Sequence, residues 1–210
     1  MHLTKQDIEN TERVRRLNLI NAITGIKPAN LIGTLDEQGT ANLAIFSSVV
    51  HLGSNPALLG FVLRPQGEVR RHTYENLLTQ GEYTINHIHR SFIEQAHYTS
   101  AKFEKGVSEF TQCGFTEEYL PNFKAPFVEE SKLKLGMRFL EEIPIKVNNT
   151  SMIIGEIAHL IVPDEAVNDQ GYVNLEQLEG VGIGGLNNYY GFEQIGSFPY
   201  ARVKEVPDFS

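Results

Sequence analysis

What most constrains this chain is a succession of short apolar runs, each bounded by turn-forming residues. Leu31 to Leu35 is followed by Asp36-Glu37-Gln38-Gly39, then Ala41 to Leu52, and Ala57 to Leu63 comes after Asn55-Pro56. Such runs between Gly, Pro, Asn and Asp read as strands joined by tight turns. Further strands are expected over Glu82 to Ile88, Lys132 to Leu140, Ile143 to Val147 and Met152 to Val162. Strands close in sequence, with helices confined to insertions, favour an antiparallel barrel over alternating βαβ units. The expected class is mainly β with α decorations.

The helical signals are local. Residues 6–19 mix charges with Ile8, Val14, Leu17 and Leu19, a weakly amphipathic N-terminal helix. His72 to Gln80 reads as a helix that Thr73 caps and Gly81 ends. Ser91 and Glu94 stand in capping-box register ahead of Ile93, Ala96 and Tyr98. Asn174 to Glu179 also looks helical. No repeat or low-complexity tract divides the chain, so residues 1–210 are expected to form one domain.

Charge narrows the partners. With 18 basic and 26 acidic residues the net charge is -8, which argues against nucleic acid and against an anionic membrane, since both need a cationic footprint. Small molecules fit better. One cysteine, Cys113, allows no intrachain disulfide or multi-cysteine metal site, and the start has no apolar leader, so a cytoplasmic setting is expected.

Gly180, Gly182 and Gly185 satisfy G-x-G-x-x-G, but the dinucleotide fingerprint needs a strand before it and a helix after it. A helix precedes it here and Asn187-Asn188-Tyr189-Tyr190-Gly191 follows, so the segment reads as a flexible glycine loop able to approach a flat ligand. A local reversal of charge is more informative. Arg64, Arg70 and Arg71 face Glu68 alone, with His72 beside them, just where a helix begins. Free amides, helix dipole and guanidinium forks there suit a phosphate, the alternative being a solvated basic loop.

Phe46-Ser47-Ser48-Val49 places two hydroxyls in an apolar strand, and alternation sends them to opposite faces. An edge-strand serine is the ordinary explanation; a flat hydrogen-bonding ligand is the functional one. Asn86, inside the strand at 82–88, is a similar candidate. His87, His89 and His97 suggest a zinc site, yet no cysteine or carboxylate joins them at a diagnostic spacing. Neither a G-x-S-x-G elbow nor a P-loop is present, and Cys113 is expected at a helix end.

Ala44-Ile45-Phe46-Ser47-Ser48, Asn55-Pro56-Ala57-Leu58-Leu59, Arg64-Pro65, Arg71-His72-Thr73-Tyr74-Glu75-Asn76 and Glu82-Tyr83-Thr84-Ile85-Asn86 together resemble, in order and spacing, the flavin reductase-like, FMN-binding split-barrel family. The resemblance spans roughly residues 25 to 200. It implies a six-stranded antiparallel Greek-key split barrel, a homodimer, and FMN near the dimer interface. It implies that Phe46, Ser47, Ser48 and Val49 lie near the flavin ring and ribityl chain, with Arg64, Arg71, His72, Thr73 and Asn76 around the phosphate. Asn86 and Ser100 match less distinctly. Gly184 to Tyr189 resembles the family's C-terminal loop, where members that take a hydride from nicotinamide often carry a basic residue or histidine; Asn187-Asn188 departs from that.

The resemblance implies an FMN-dependent oxidoreductase of the NAD(P)H:flavin reductase type, with NADH or NADPH as donor and the chemistry at flavin N5. Two alternatives stand beside it. One is an FMN electron carrier serving a redox partner protein, the other an FMN-dependent oxidase or oxygenase.

Overall fold

The computed structural model describes residues 1–65 and 71–209. Along the chain run α1 (Lys5–Asn10), α2 (Arg13–Ala22), β1 (Lys27–Pro28), β2 (Asn30–Leu35), β3 (Ala41–Phe46), β4 (Val50–Ser54), β5 (Ala57–Leu63), α3 (His72–Gln80) and β6 (Glu82–His87). There follow α4 (Ile93–Tyr98), α5 (Glu109–Cys113), β7 (Glu117–Glu118), β8 (Phe127–Val128), β9 (Lys134–Ile145), β10 (Thr150–Ile161), β11 (Val181–Gly184) and β12 (Asn188–Gly191).

The principal sheet has seven antiparallel strands in the order β3-β2-β6-β9-β10-β5-β4. Its two edges, β3 and β4, are joined by Ser47–Val49 alone. Laid flat, seven strands would hold those edges about 29 Å apart, whereas the link from Phe46 to Val50 spans at most about 14 Å. The sheet must therefore curl until its edges meet. They meet without a ladder between them, which is what makes the barrel split. The run expected as one strand over 41–52 is interrupted there; counted as one broken strand, β3 and β4 give the barrel its six.

Alternation places the core. On β2, Ile32 points inward to Phe61, Tyr83, Ile85, Leu135, Met137 and Ile153, while Leu31 points outward to Leu43, Phe92, Ala96, Phe110, Val181 and Ile183. Both faces of β2 are buried because α4, α5 and β11 cover the outside. The hairpin β2–β3 is set by Asp36, whose Oδ1 accepts from Gln38 N (2.9 Å) and Thr40 N (2.7 Å), with Gly39 at φ +84°.

Several local expectations are corrected. The single N-terminal helix over 6–19 is two helices, because Thr4 and Asp7 form a capping box on α1 while Glu12 accepts from Val14 N and Arg15 N (both 2.9 Å) and starts α2. The strands expected over 132–140 and 143–147 are one, β9. Helix α3 has the expected span and ends at left-handed Gly81, but Arg71 holds the cap position and Thr73 lies inside the first turn. The Ser91–Glu94 box is replaced by His89, whose Nδ1 accepts from Ser91 N (3.1 Å) ahead of a 3-10 turn. Asn174 to Glu179 forms turns, with Glu179 at φ +52°, and Gly182 sits in the sheet β1-β11-β12. That glycine loop is a hairpin strand. Its close approach is to its own chain: a methyl on Gly182 would run into Ile26 and lie 2.9 Å from the Lys27 carbonyl.

Candidate functional site

The split lies between β3 and the end of β5, and Phe46, Ser47, Ser48 and Val49 lie along it. Ser48 bridges the gap: its Oγ donates to Val62 O (3.2 Å) and accepts from Val62 N (3.0 Å), replacing the strand partner that β4 no longer supplies. That hydroxyl is largely committed to the fold and keeps one acceptor lone pair. Among the described residues Ser47 Oγ has no hydrogen bond, so it is the hydroxyl of the pair available to a ligand. Phe46 stacks edge-on against Phe61 at 5.1 Å, and Val49 packs on the barrel interior with it.

At the far end of β3 stands the start of α3. Asn42 Nδ2 donates to Thr73 Oγ1 (3.1 Å) and Asn76 Nδ2 donates to Thr34 Oγ1 (3.1 Å), all buried, which fastens the first turns of the helix to the β2–β3 hairpin. Tyr74 N and Glu75 N bond to the Arg71 carbonyl, and no side chain of the described residues caps the amides of His72 and Thr73. Partial desolvation and the neighbouring charge of Arg64 hold the Arg71 guanidinium below its usual range. Two like charges are thus brought together beside helix amides that no described side chain caps, a donor set that fits a phosphate. Thr73 Oγ1 accepts from Asn42 and retains its own proton to donate. Arg70 and Glu68, the other charges of the expected patch, lie outside the described residues.

Sequence reasoning missed Glu109. Only 5% exposed, its carboxylate accepts from Leu43 N (3.0 Å) on the open edge of β3. Burial pushes its pKa up, opposed by the Leu43 amide and by the charge of His72. No sequence signal links positions 43 and 109.

Asn86 is held within the fold. Its Nδ2 donates to Leu31 O (3.1 Å) and Thr84 Oγ1 (2.9 Å), and its Oδ1 accepts from Val128 N (3.0 Å). Fully buried and bonded on both ends, it ties β2, β6 and β8 together and keeps one acceptor lone pair on Oδ1. Ser100 is exposed and donates to His97 O (2.7 Å), closing the end of α4.

A second hollow of about 500 Å³ lies between α4 and β12, lined by Arg90, Ile93, His97, Tyr98, Asn187 and Tyr189 among others. His97 Nδ1 and Tyr189 OH are 3.0 Å apart, with ring centroids at 5.9 Å. Burial raises the Tyr189 phenol, which therefore keeps its proton at neutral pH. His97, from α4, thus stands in the same hollow as Asn187 and Tyr189. Tyr189 and Ile45, the neighbour of Phe46, pack against the same core cluster.

The three histidines weighed as a zinc site go separate ways. His87 ends β6, where burial depresses it to about 4; His89 Nε2 meets Glu179 at 3.0 Å; His97 meets Tyr189. Among the described residues no three His, Cys, Asp or Glu side chains converge. Cys113 ends α5, buried, its thiol pushed up. No helix among the described residues is long and apolar enough to cross a membrane.

Comparison with known proteins agrees with this geometry. A candidate flavin reductase with a split barrel domain from Shewanella frigidimarina NCIMB 400 is 46% identical, with a TM-score of 0.92 over 96% of this chain and 100% of that one. Nitrilotriacetate monooxygenase component B from Bacillus cereus shares the fold at 16% identity (TM-score 0.83, 94% and 98% covered). So does flavoredoxin of Desulfovibrio vulgaris (Miyazaki F) at 20% identity (TM-score 0.73, 84% and 92% covered). The sequence profile of the flavin reductase like domain matches residues 26–177. This chain, with its split barrel and the donors gathered along the split, belongs to the flavin reductase like domain family.

Proposed function

We propose that this protein is an FMN-dependent oxidoreductase that takes reducing equivalents from NADH or NADPH. The observation that carries the reading is the start of α3, where Arg71 beside Arg64 and two amides that no described side chain caps form a phosphate-sized donor set at one end of the split. FMN bound there would supply hydride acceptance and electron transfer at its N5. The chain's own residues hold and orient it. Arg64, Arg71, His72 and Thr73 take the phosphate, Ser47 offers a hydroxyl along the split, and Phe46 and Val49 give the ring an apolar, water-excluding wall.

The hollow between α4 and β12 is the entry we assign to the donor. Tyr98 and Tyr189 offer aromatic surface there, and Tyr189 holds the His97 ring in one orientation. The homodimer that the family resemblance implies belongs to the same reading. Anaerobic mixing of FMN-loaded protein with NADH and with NADPH tests it. Rapid bleaching of the flavin by either is expected; a flavin that binds tightly but bleaches only with dithionite would make the protein an electron carrier instead.

A further inference from the structure

His89 joins two side chains that the flavin reading leaves unused. Its Nδ1 lies 2.8 Å from Ser91 Oγ and its Nε2 3.0 Å from Glu179 Oε2. The tautomer follows from the neighbours. Nδ1 accepts from the backbone N–H of Ser91 (3.1 Å), so it carries no proton, and the proton on Nε2 points at the carboxylate. The Ser91 hydroxyl therefore donates to Nδ1. Hydroxyl, imidazole and carboxylate stand in the order that turns a serine into a nucleophile.

Capping alone does not account for this set. A cap needs only the bond from Ser91 N, whereas here a hydroxyl and a carboxylate engage both ring nitrogens. The carboxylate comes from a segment 90 positions away that is pinned in place: Arg90 N donates to the Glu179 carbonyl (3.0 Å), and His89 pairs with Gly180 in a β-bridge. Glu179 also meets Arg90 at 3.4 Å and Lys132 at 3.6 Å. It sits at φ +52°, a conformation that a residue other than glycine keeps only where its surroundings fix it. The bond from His89, with Lys132 and Arg90 beside it, holds its carboxyl below the usual range, so it is ionised at neutral pH.

The His89 side chain is 13% exposed, whereas Ser91 is exposed and lines the hollow between α4 and β12. A sheltered base thus serves an accessible hydroxyl. Arg90 lines the same hollow, and among the described residues only its NH1 donates, to Glu179, which leaves guanidinium N–H groups for an oxygen that turns negative. Ile93, Tyr98 and Tyr189 offer a small acyl or aryl group an apolar wall.

We propose that Ser91, His89 and Glu179 hydrolyse small carboxylic esters through an acyl-enzyme, a second chemistry in this hollow that needs no flavin. Ser91 Oγ bonds to the ester carbonyl carbon and its proton passes to His89 Nδ1. The bond from that carbon to the alcohol oxygen breaks, and the alcohol leaves with the proton. Water then adds to the acyl-serine, losing a proton to Nδ1 in turn; the carboxylic acid departs and Ser91 regains its proton. Nothing is oxidised or reduced. Ser91 and His89 are the catalytic residues, and Glu179 is a positioning residue that fixes the tautomer and balances the imidazolium.

Hydrolysis of p-nitrophenyl acetate by the full chain tests it. The wild type should release p-nitrophenolate, and mass spectrometry should find the acetyl group, or the sulfonyl group left by phenylmethylsulfonyl fluoride, on Ser91. Ser91→Ala and His89→Gln should each lower kcat/KM by at least about a hundredfold, and both together no further, because the two act as a unit. Glu179→Gln should lower kcat and leave KM unchanged; a merely structural Glu179 would move KM as well. Hydrolysis at the wild-type rate in Ser91→Ala overturns the proposal, and so does a label confined to other residues. Should a variant fold poorly, the position of the label on the wild type decides. Esterase activity without affinity for FMN sinks only the flavin reading; an FMN protein whose Ser91 takes no label sinks only this proposal.

Discussion

Asn42 and Thr73 are joined by a buried hydrogen bond of 3.1 Å, and the cross-strand neighbour of Asn42, Thr34, receives a second from Asn76 at 3.1 Å. One rung of the β2–β3 ladder therefore holds two side chains three apart on one face of α3. The barrel thereby sets where the first turn of α3 points. Asn42→Ala leaves the Thr73 hydroxyl buried without its donor, and a loss of about 1 to 3 kcal/mol in urea unfolding is expected. FMN affinity should fall as well, because the helix start loses its anchor. A double-mutant cycle with Thr73→Val checks the pairing: additive losses would mean the two residues do not act together.

Gly182 offers a different kind of test. A methyl there meets Ile26 and the Lys27 carbonyl inside the β1–β11 pairing. Gly182→Ala should cost about 1 to 3 kcal/mol through overpacking, read as a fall of roughly 2 to 12 °C in Tm for a chain of this size. Affinity for NADH should change no more than the unfolding of the hairpin explains. An unchanged Tm would mean that the hairpin yields and the glycine is dispensable.

Much of the barrel was legible because turn residues punctuate it. Asp36 and Gly39 mark the first hairpin, Asn55-Pro56 the second, and Gly81 the end of α3. The break at Ser47–Val49 was hidden, since apolar residues continue through it and only closure of the sheet demands it. Thr73 looked like a cap because its hydroxyl precedes an apolar run; its partner, Asn42, lies 31 positions away and cannot be inferred from spacing. The same holds for the Asn86 partners Leu31 and Val128, which lie 55 and 42 positions away. His97 and Tyr189, 92 positions apart, were each visible alone and never as a pair.

His87 makes stability depend on pH in a defined window. Burial lowers its pKa to about 4 in the folded chain, against about 6.5 when unfolded. Between these values the unfolded state binds the additional proton, so stability rises with pH through the window and is lost as pH falls from about 6.5 towards 4. The shift corresponds to up to about 3 kcal/mol. Comparing urea midpoints of wild type and His87→Gln at pH 7 and near pH 5 isolates it: the wild type should lose more on acidification. Parallel losses would mean the imidazole is solvated.

Arg71 separates the phosphate from the rest of the flavin. A charged hydrogen bond is worth about 1.5 to 3 kcal/mol, so Arg71→Ala should weaken FMN by roughly tenfold to a little over a hundredfold. Riboflavin, which lacks the phosphate, should bind the variant about as well as the wild type. Equal weakening of both ligands, with circular dichroism unchanged, would mean that Arg71 shapes the pocket as a whole.

The contact between His97 and Tyr189 tests the donor hollow independently of the phosphate site. Tyr189→Phe keeps the ring and its packing and removes only the hydroxyl at 3.0 Å from Nδ1. The imidazole then turns more freely. If its orientation serves the approach of the nicotinamide, the loss should be that of one hydrogen bond, about 0.5 to 1.5 kcal/mol, or roughly two- to thirteenfold in the rate of flavin reduction. His97→Ala should cost more, because it removes the ring and leaves the half-buried Tyr189 hydroxyl unpaired. Neither residue lies at the start of α3, so FMN affinity should be unchanged in both variants, as should reduction by dithionite. Stopped-flow absorbance of the bound flavin, mixed anaerobically with NADH and with NADPH, measures these rates directly. Wild-type rates in both variants would place the donor elsewhere, and a parallel loss of FMN binding would make the pair a support of the flavin site instead.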